Sequence, residues 1–145
     1  MSRQDVIVRQ VKVSASVDRI WRAITQADQL AQWFGDSAEV DLRVGGSITL
    51  GWSEYGVTTS GVVERVEEPN VFAFRWQASA SVDGDPQSTL VTFTLTQVDG
   101  GTEVTVEETG LATLPGDVYD RTSEENSSGW TVELADLVAY VGDPQ

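Results

Sequence analysis

The stretch LVTFTLTQVDGGTEVTVEE, residues 90–108, decides the fold. Apolar and polar side chains alternate on both sides of Asp99-Gly100-Gly101, which is typical of two strands that each bury one face. An Asp-Gly step between two such runs predicts a tight hairpin. The positions predicted to face inward are Val91, Phe93, Leu95, Val104, Val106 and Glu108.

Strand patterns continue outward from this hairpin. Residues 6–13, 40–43, 48–52, 57–66 and 72–76 also alternate, and a polar loop is predicted at Asp83–Pro86. In the segment 57–66 the alternation slips near Val62-Val63, which predicts a β-bulge. Together these segments predict an antiparallel sheet with one apolar face. Large rings mark that inner face, at Trp52, Phe72, Phe74, Trp76 and Phe93.

Helical spacing appears in three places. Ser16 predicts an N-cap for a first helix, and a second short helix ends at Gly35. After Pro115 the pattern stays helical to Val141, and only this helix is long enough to cover the sheet. Gly129 inside it costs about 1 kcal/mol relative to alanine. We expect a close approach to the sheet, or a bend, to compensate.

Composition excludes several functions. The 145 residues fit a single domain, 1–145, with a net charge of −14 from 9 Lys+Arg and 23 Asp+Glu. Because nucleic acids and anionic membranes are bound through basic residues, we expect neither as a partner. The sequence has no Cys and no His, which removes thiol and imidazole chemistry, and we expect no cofactor and no metal. The N-terminus alternates and has no apolar signal region, which predicts a cytoplasmic location.

Many segments, in order, resemble the family named for the activator of the heat-shock-protein-90 ATPase, a member of the START-like (SRPBCC) superfamily. The resemblance implies an α+β, helix-grip fold: a curved antiparallel sheet wrapped around a long C-terminal helix, with two short helices after the first strand and a cavity between sheet and helix. The matching segments are WRAIT (21–25), WF (33–34), DLRVGG (41–46), GVV (61–63), EP (68–69), FRW (74–76), GGTEVTV (100–106) and GW (129–130).

The resemblance fixes the architecture better than the activity. Members of the superfamily include carriers of lipids and other apolar ligands, polyketide cyclases and a co-chaperone domain. Many relatives carry His near the positions of Glu108 and Asn126. A role that depends on those histidines does not transfer to this chain.

We expect the protein to bind a small apolar molecule in that cavity, as a carrier or sensor without enzymatic activity. Ligand pockets are lined mainly by apolar and aromatic groups, and for each ring plain core packing is the alternative. Trp33 and Phe34 are candidates for a gate at the cavity mouth, with ordinary packing as the alternative. The candidate ligand-binding residues are Trp52, Phe74, Trp76, Phe93, Glu108, Trp130 and Leu134.

Glu108 is the most informative polar residue, and the only candidate for a catalytic group. Alternation turns it toward the predicted cavity, where it would hydrogen-bond a ligand or move a proton. The alternative is that Glu108 lies at the end of its strand and faces water. Two other functions stay open: a protein-interaction domain with a partner such as a chaperone, and a polyketide cyclase-type enzyme that uses Glu108. The sequence leaves the oligomeric state open.

Overall fold

The computed structural model describes residues 5–77, 88–114 and 116–141, so the polar loop predicted at Asp83–Pro86 lies outside the described residues. The strands are β1 (Val6–Val13), β2 (Ser37–Val40), β3 (Ser47–Trp52), β4 (Val57–Glu67), β5 (Val71–Gln77), β6 (Ser88–Val98) and β7 (Gly101–Thr109). The α-helices are α1 (Val17–Thr25), α2 (Ala27–Trp33) and α3 (Gly116–Val141), and short 3₁₀ helices span Ser53–Tyr55 and Leu111–Thr113.

The strands form one antiparallel sheet in the order β1-β7-β6-β5-β4-β3-β2. The hairpin predicted from residues 90–108 is present, with Phe93 of β6 opposite Val106 of β7. Strand β1 adds to the other side of β7, with Ile7 opposite Glu108. Because β7 has a neighbour on each side, its inward-facing side chains lie in the interior of the sheet.

Two local predictions for the strands have different outcomes. The bulge in β4 is confirmed, since the register with β5 shifts between Val63 and Arg65. The strand pattern that extended to Leu42 is wrong at that end, because β2 stops at Val40. The Arg43 N–H donates to the Asp41 carbonyl at 2.8 Å and closes a turn there. The side chains of the same two residues form a surface ion pair at 2.9 Å.

All three helices pack on one apolar core with the inner face of the sheet. Helix α1 begins at the predicted cap, where Ser16 Oγ accepts the Arg19 N–H at 3.1 Å. Helix α2 is fixed to α1 by Trp33, whose Nε1 donates to the Ala23 carbonyl at 2.8 Å. Arg9 of β1 reaches α3, with its Nε 3.2 Å from Thr131 Oγ1 and its Nη2 3.1 Å from the Ser127 carbonyl.

Gly129 in α3 does not serve close packing. A methyl group added at this position meets no described atom within 4 Å, apart from the helix's own nearby backbone and its chain neighbours. The expected close approach to the sheet is therefore wrong. The entropic cost of a glycine in a helix interior is not offset by packing at this site.

Replacing Gly129 with alanine should raise the free energy of unfolding by about 0.5–1 kcal/mol, because alanine has less backbone entropy to lose. Urea denaturation followed by circular dichroism measures the change. The matched control is Gly110→Ala, which also has open space around the added methyl group but a φ of +91°. Alanine is strained at that φ, so the control should be less stable than the wild type. A Gly129→Ala protein no more stable than the wild type would contradict this explanation.

Candidate functional site

Glu108 lies in the interior of the sheet and is 0% exposed. Along β7 it follows Val104 and Val106 on the inner face, and its partners on the neighbouring strands are Val91 of β6 and Ile7 of β1. All four of these neighbours are apolar and buried. The pairing of β7 with β1 and with β6 continues past Glu108. The alternative that Glu108 faces water at the end of its strand is therefore wrong.

The Glu108 carboxyl group is held by neutral donors. Trp130 Nε1 donates to Oε1 at 2.8 Å, whereas Trp76 Nε1 and Thr89 Oγ1 donate to Oε2 at 3.2 and 2.5 Å. Asn126 Nδ2 lies 3.0 Å from Oε1 and 2.9 Å from Oε2. None of the ion pairs among the described residues involves Glu108. These donors offset the cost of burying a carboxyl group without supplying a positive charge.

Aromatic rings pack around this polar group, and Phe34 lies at their centre. Its ring centroid is 5.4 Å from those of Trp52 and Trp130 and 6.0 Å from that of Trp76. The rings of Trp76 and Trp130 are 5.7 Å apart and within 25° of parallel. Rings at these separations are in direct contact. We call Phe34, Trp52, Trp76 and Trp130 the ring cluster.

The ring cluster lies where the sequence predicts a cavity. Phe34 is 2% exposed and occupies the position among the three tryptophans. Trp33 and Phe34 are both buried in the core, which agrees with the alternative of ordinary packing. The predicted residues Phe74, Phe93 and Leu134 pack in the same core. The seven predicted site residues thus come together, but a ligand must displace a ring to lie among them.

An open groove of about 670 Å³ lies elsewhere, at the end of β7 away from Glu108. It is bounded by the segment before and into α1, the turn between β4 and β5, and the hairpin between β6 and β7. The groove contains none of the predicted site residues. Its position separates it from the ring cluster, and we assign no function to it.

Two residues that donate to Glu108, Thr89 and Asn126, are not among the predicted site residues. Thr89 precedes Val91 by two positions on β6, so strand alternation alone places it on the inner face. Asn126 precedes Trp130 by four positions, which is one turn of α3. Both periodicities are visible in the sequence, but a search for apolar lining residues passes over polar side chains. Glu108 and Asn126 contact each other directly.

A second carboxyl group, that of Glu133 on α3, lies beside the ring cluster. Its Oε2 atom is buried and has no hydrogen-bond partner among the described residues. Burial and the nearby charge of Asp136 raise the pKa of Glu133 to about 7, although a hydrogen bond with the Trp52 side chain acts in the opposite direction. The charged form of Glu133 is therefore unfavourable in the folded protein.

Glu133→Gln should stabilise the protein at pH 8 by about 1–2 kcal/mol, a range reduced from the full pKa shift because the group is partly exposed. The pKa of Glu133 is about 7 in the folded state against a model value of 4.5. The folded state therefore holds this proton more tightly. The stability it confers is fully present below about pH 4.5 and is lost as the pH rises to about 7.

The measurement is urea denaturation of both proteins at pH 4.5 and pH 8. The variant should gain stability over the wild type only at the higher pH. Glu124→Gln, which removes an exposed carboxyl group from the same helix, is the control and should show no such pH dependence. Equal stabilities of wild type and Glu133→Gln at pH 8 would rule out the proposed desolvation of Glu133.

Two further features of the described residues concern metal ions and membranes. In the described ranges, no group of three or more acidic, His or Cys side chains is placed to hold a metal ion. Likewise, no helix in them has the length and apolar character to cross a membrane. The groups that can meet a ligand in the ring cluster are the aromatic faces, the Glu108 carboxyl with its donors, and the Glu133 carboxyl.

A seven-stranded antiparallel sheet closed over a long C-terminal helix, with two short helices after the first strand, defines the helix-grip fold of START-like proteins. The sequence profile described as "Activator of Hsp90 ATPase homolog 1-like protein" matches residues 14–142. The chain belongs to this family, as the resemblance in its sequence predicts.

Solved structures with the same fold come from several sources. MLL2253 from Mesorhizobium loti is 21% identical, with a TM-score of 0.80 over 93% of this chain and 95% of that chain. The Aha1 dimer from Colwellia psychrerythraea is 19% identical, with a TM-score of 0.77 over 96% of this chain and 97% of that one. No curated protein sequence matches.

A third similar structure belongs to a longer protein. DynU16, from the dynemicin biosynthetic locus, is 28% identical and has a TM-score of 0.78. The match covers 95% of this chain but 47% of DynU16, so this chain spans about half the length of that protein. These likenesses establish the fold, and the function has to be argued from the site.

Proposed function

We propose that the protein binds a small hydrophobic molecule between the sheet and α3, as a carrier or sensor. The observation that supports this proposal is the fully buried Glu108 carboxyl, which is satisfied by neutral donors inside an apolar core. A core that serves only stability is usually as stable, or more so, with an apolar side chain of similar volume. A carboxyl group at this position therefore supports a role in recognition.

Binding requires the Phe34 ring to move. The main chain after Phe34 is fixed, because the Asp36 N–H donates to the Gly51 carbonyl at 2.8 Å. Gly35 has a φ of +76°, and a methyl group at this position would collide with the Gly51 carbonyl. The opening we propose is therefore a rotation of the Phe34 side chain, with the backbone in place. The ligand gains about 25 cal/mol for each Å² of apolar surface that it buries, less the cost of moving the ring.

An uncharged fluorescent probe, N-phenyl-1-naphthylamine at pH 7, tests the proposal. We expect the probe to quench tryptophan emission, because the site contains Trp52, Trp76 and Trp130, and to raise the melting temperature by preferential binding to the folded state. Phe34→Leu leaves less side chain to displace, so it should bind the probe about tenfold more tightly, a free-energy difference of about 1.4 kcal/mol.

The matched control is Phe72→Leu. Phe72 is fully buried and contacts Trp21 and Phe74, but it has no ring contact with Phe34 and no hydrogen bond to Glu108. This variant should lose stability without a tenfold change in probe affinity. If neither the wild type nor Phe34→Leu changes its emission or melting temperature with probe, the ligand-binding function is wrong.

A second candidate function is protein interaction, and the filled ring cluster is the observation that favours it. A domain that acts through its surface needs no internal space, and the family takes its name from an activator of the Hsp90 ATPase. The test is the ATPase rate of an Hsp90-type chaperone with and without the protein. Ligand binding as the function predicts no change in that rate, and interaction predicts a change that survives Phe34→Leu.

A further inference from the structure

The surroundings of Glu108 and Phe34 restrict the chemistry of the molecule that the site accepts. We propose that the ligand is an organic cation: a protonated amine on an apolar body that carries a ring. The ammonium group meets the Glu108 carboxyl, and the ring takes the position of the Phe34 ring. This inference rests on the ligand-binding function proposed above.

Glu108 has no counter-charge among the described residues. The donors to Glu108 are two indoles, an amide and a hydroxyl, and no ion pair among the described residues includes this carboxyl. A hydrogen bond from an ammonium to a carboxylate is about twice as strong as one between neutral groups. Asn126 is partly exposed and reaches both carboxyl oxygens from α3. An ammonium group that displaces this amide replaces a neutral donor with a charged one.

Tryptophan rings lie beside the Glu108 carboxyl. Tryptophan faces attract cations more strongly than the faces of tyrosine or phenylalanine do. Trp76 and Trp130 each donate their indole N–H to Glu108, so the carboxyl lies at the edge of both rings. Phe34 stacks on both, at 6.0 and 5.4 Å. When its ring rotates away, the exposed Trp faces and the carboxyl border the same space.

A second carboxyl group, that of Glu133, lies beside the ring cluster. Trp52 contacts Phe34 at 5.4 Å and hydrogen-bonds Glu133, whose Oε2 is buried without a described partner. A ligand in place of Phe34 thus contacts rings that hydrogen-bond two acidic groups, in a protein of net charge −14. Such a field attracts cations and repels carboxylates and phosphates. A neutral hydrocarbon would fill the space but leave the electrostatics of both acids unchanged.

Three probes of the same shape separate these possibilities: 4-phenylbutylamine, butylbenzene and 4-phenylbutyrate. Isothermal titration calorimetry at pH 7 measures each with the wild type and with Phe34→Leu. We expect the amine to bind at least tenfold more tightly than butylbenzene, and 4-phenylbutyrate to bind most weakly. Glu108→Gln should remove the preference for the amine over butylbenzene. Glu107→Gln, on the exposed side of the same strand, should keep the preference.

The outcomes distinguish this inference from the function on which it rests. If butylbenzene or 4-phenylbutyrate bound as tightly as the amine, the proposal of a cationic ligand would be overturned, but the ligand-binding function would stand. No binding of any probe to either protein would overturn both. The comparison among probes in the wild type does not depend on the folding of any variant. A preference that persists in Glu108→Gln would also overturn the assignment of the ammonium to Glu108.

Discussion

Truncation of Glu108 to alanine is expected to lower the free energy of unfolding by about 3–5 kcal/mol. The substitution leaves the Trp130 indole N–H and the Thr89 hydroxyl without their acceptor, whereas Trp76 Nε1 keeps Thr89 Oγ1 at 3.0 Å. The residue is 0% exposed, so water does not replace the lost carboxyl without entering the core. The alanine also leaves a cavity under α3. Urea denaturation followed by circular dichroism measures the loss.

Glu107→Ala is the matched control for this experiment. Glu107 precedes Glu108 on β7, but its side chain is exposed on the other face of the sheet. Its truncation should change stability by less than about 0.5 kcal/mol. A loss of less than about 1 kcal/mol for Glu108→Ala would mean that the donors find other acceptors. The polar network would then not be the feature that defines the interior.

Phe34→Ala is expected to cost about 3–5 kcal/mol as well, because a buried phenyl group leaves a cavity when it is removed. The ring contacts all three tryptophans of the ring cluster and also Trp33. The cavity borders aromatic faces on several sides, and apolar cavities of this kind accept small aromatic molecules. Toluene should therefore raise the melting temperature of Phe34→Ala by more than that of the wild type, in which the Phe34 ring occupies the space.

Val44→Ala is the control for loss of apolar volume, since Val44 is 66% exposed and its truncation should be nearly neutral. Thermal unfolding of the three proteins with and without toluene measures both the loss of stability caused by each substitution and its recovery when toluene binds. If Phe34→Ala is destabilised but does not respond to toluene, the neighbouring rings have collapsed into the space. The site would then be unable to hold a ligand in the place of Phe34.

The elements of this fold were predictable because the signals that specify them are local. Alternation between residues 90 and 108 is sufficient to define β6, β7 and their turn, and the apolar stripe from Trp130 to Val141 defines the C-terminal part of α3. The order of the strands in the sheet has no such local signal. Periodicity does not say that β1 pairs with β7, because it carries no information on which strands are neighbours in the sheet.

The state of the interior was not predictable in the same way. Whether a cavity is open depends on a small difference between the volume enclosed by the sheet and helices and the volume of the side chains inside it. In this protein Phe34 decides how much of that volume is occupied. Its ring reaches the centre of the ring cluster because the Trp33 side chain holds α2 against the Ala23 carbonyl of α1. Contacts of this type join residues from separate elements. Gly129 shows the same limit, since its sequence context gives no measure of the space around it.

The pairing of β1 with β7 has a consequence for synthesis on the ribosome. Val6 lies opposite Thr109, so β1 leaves the exit tunnel before its partner β7 is made. Contacts between such distant parts of a chain slow folding. During that wait β1 has no strand beside it, and Val6 and Val8 keep their backbone groups free for other chains. Nascent chains that end before β7 should therefore be the most sensitive to proteases and the most prone to associate.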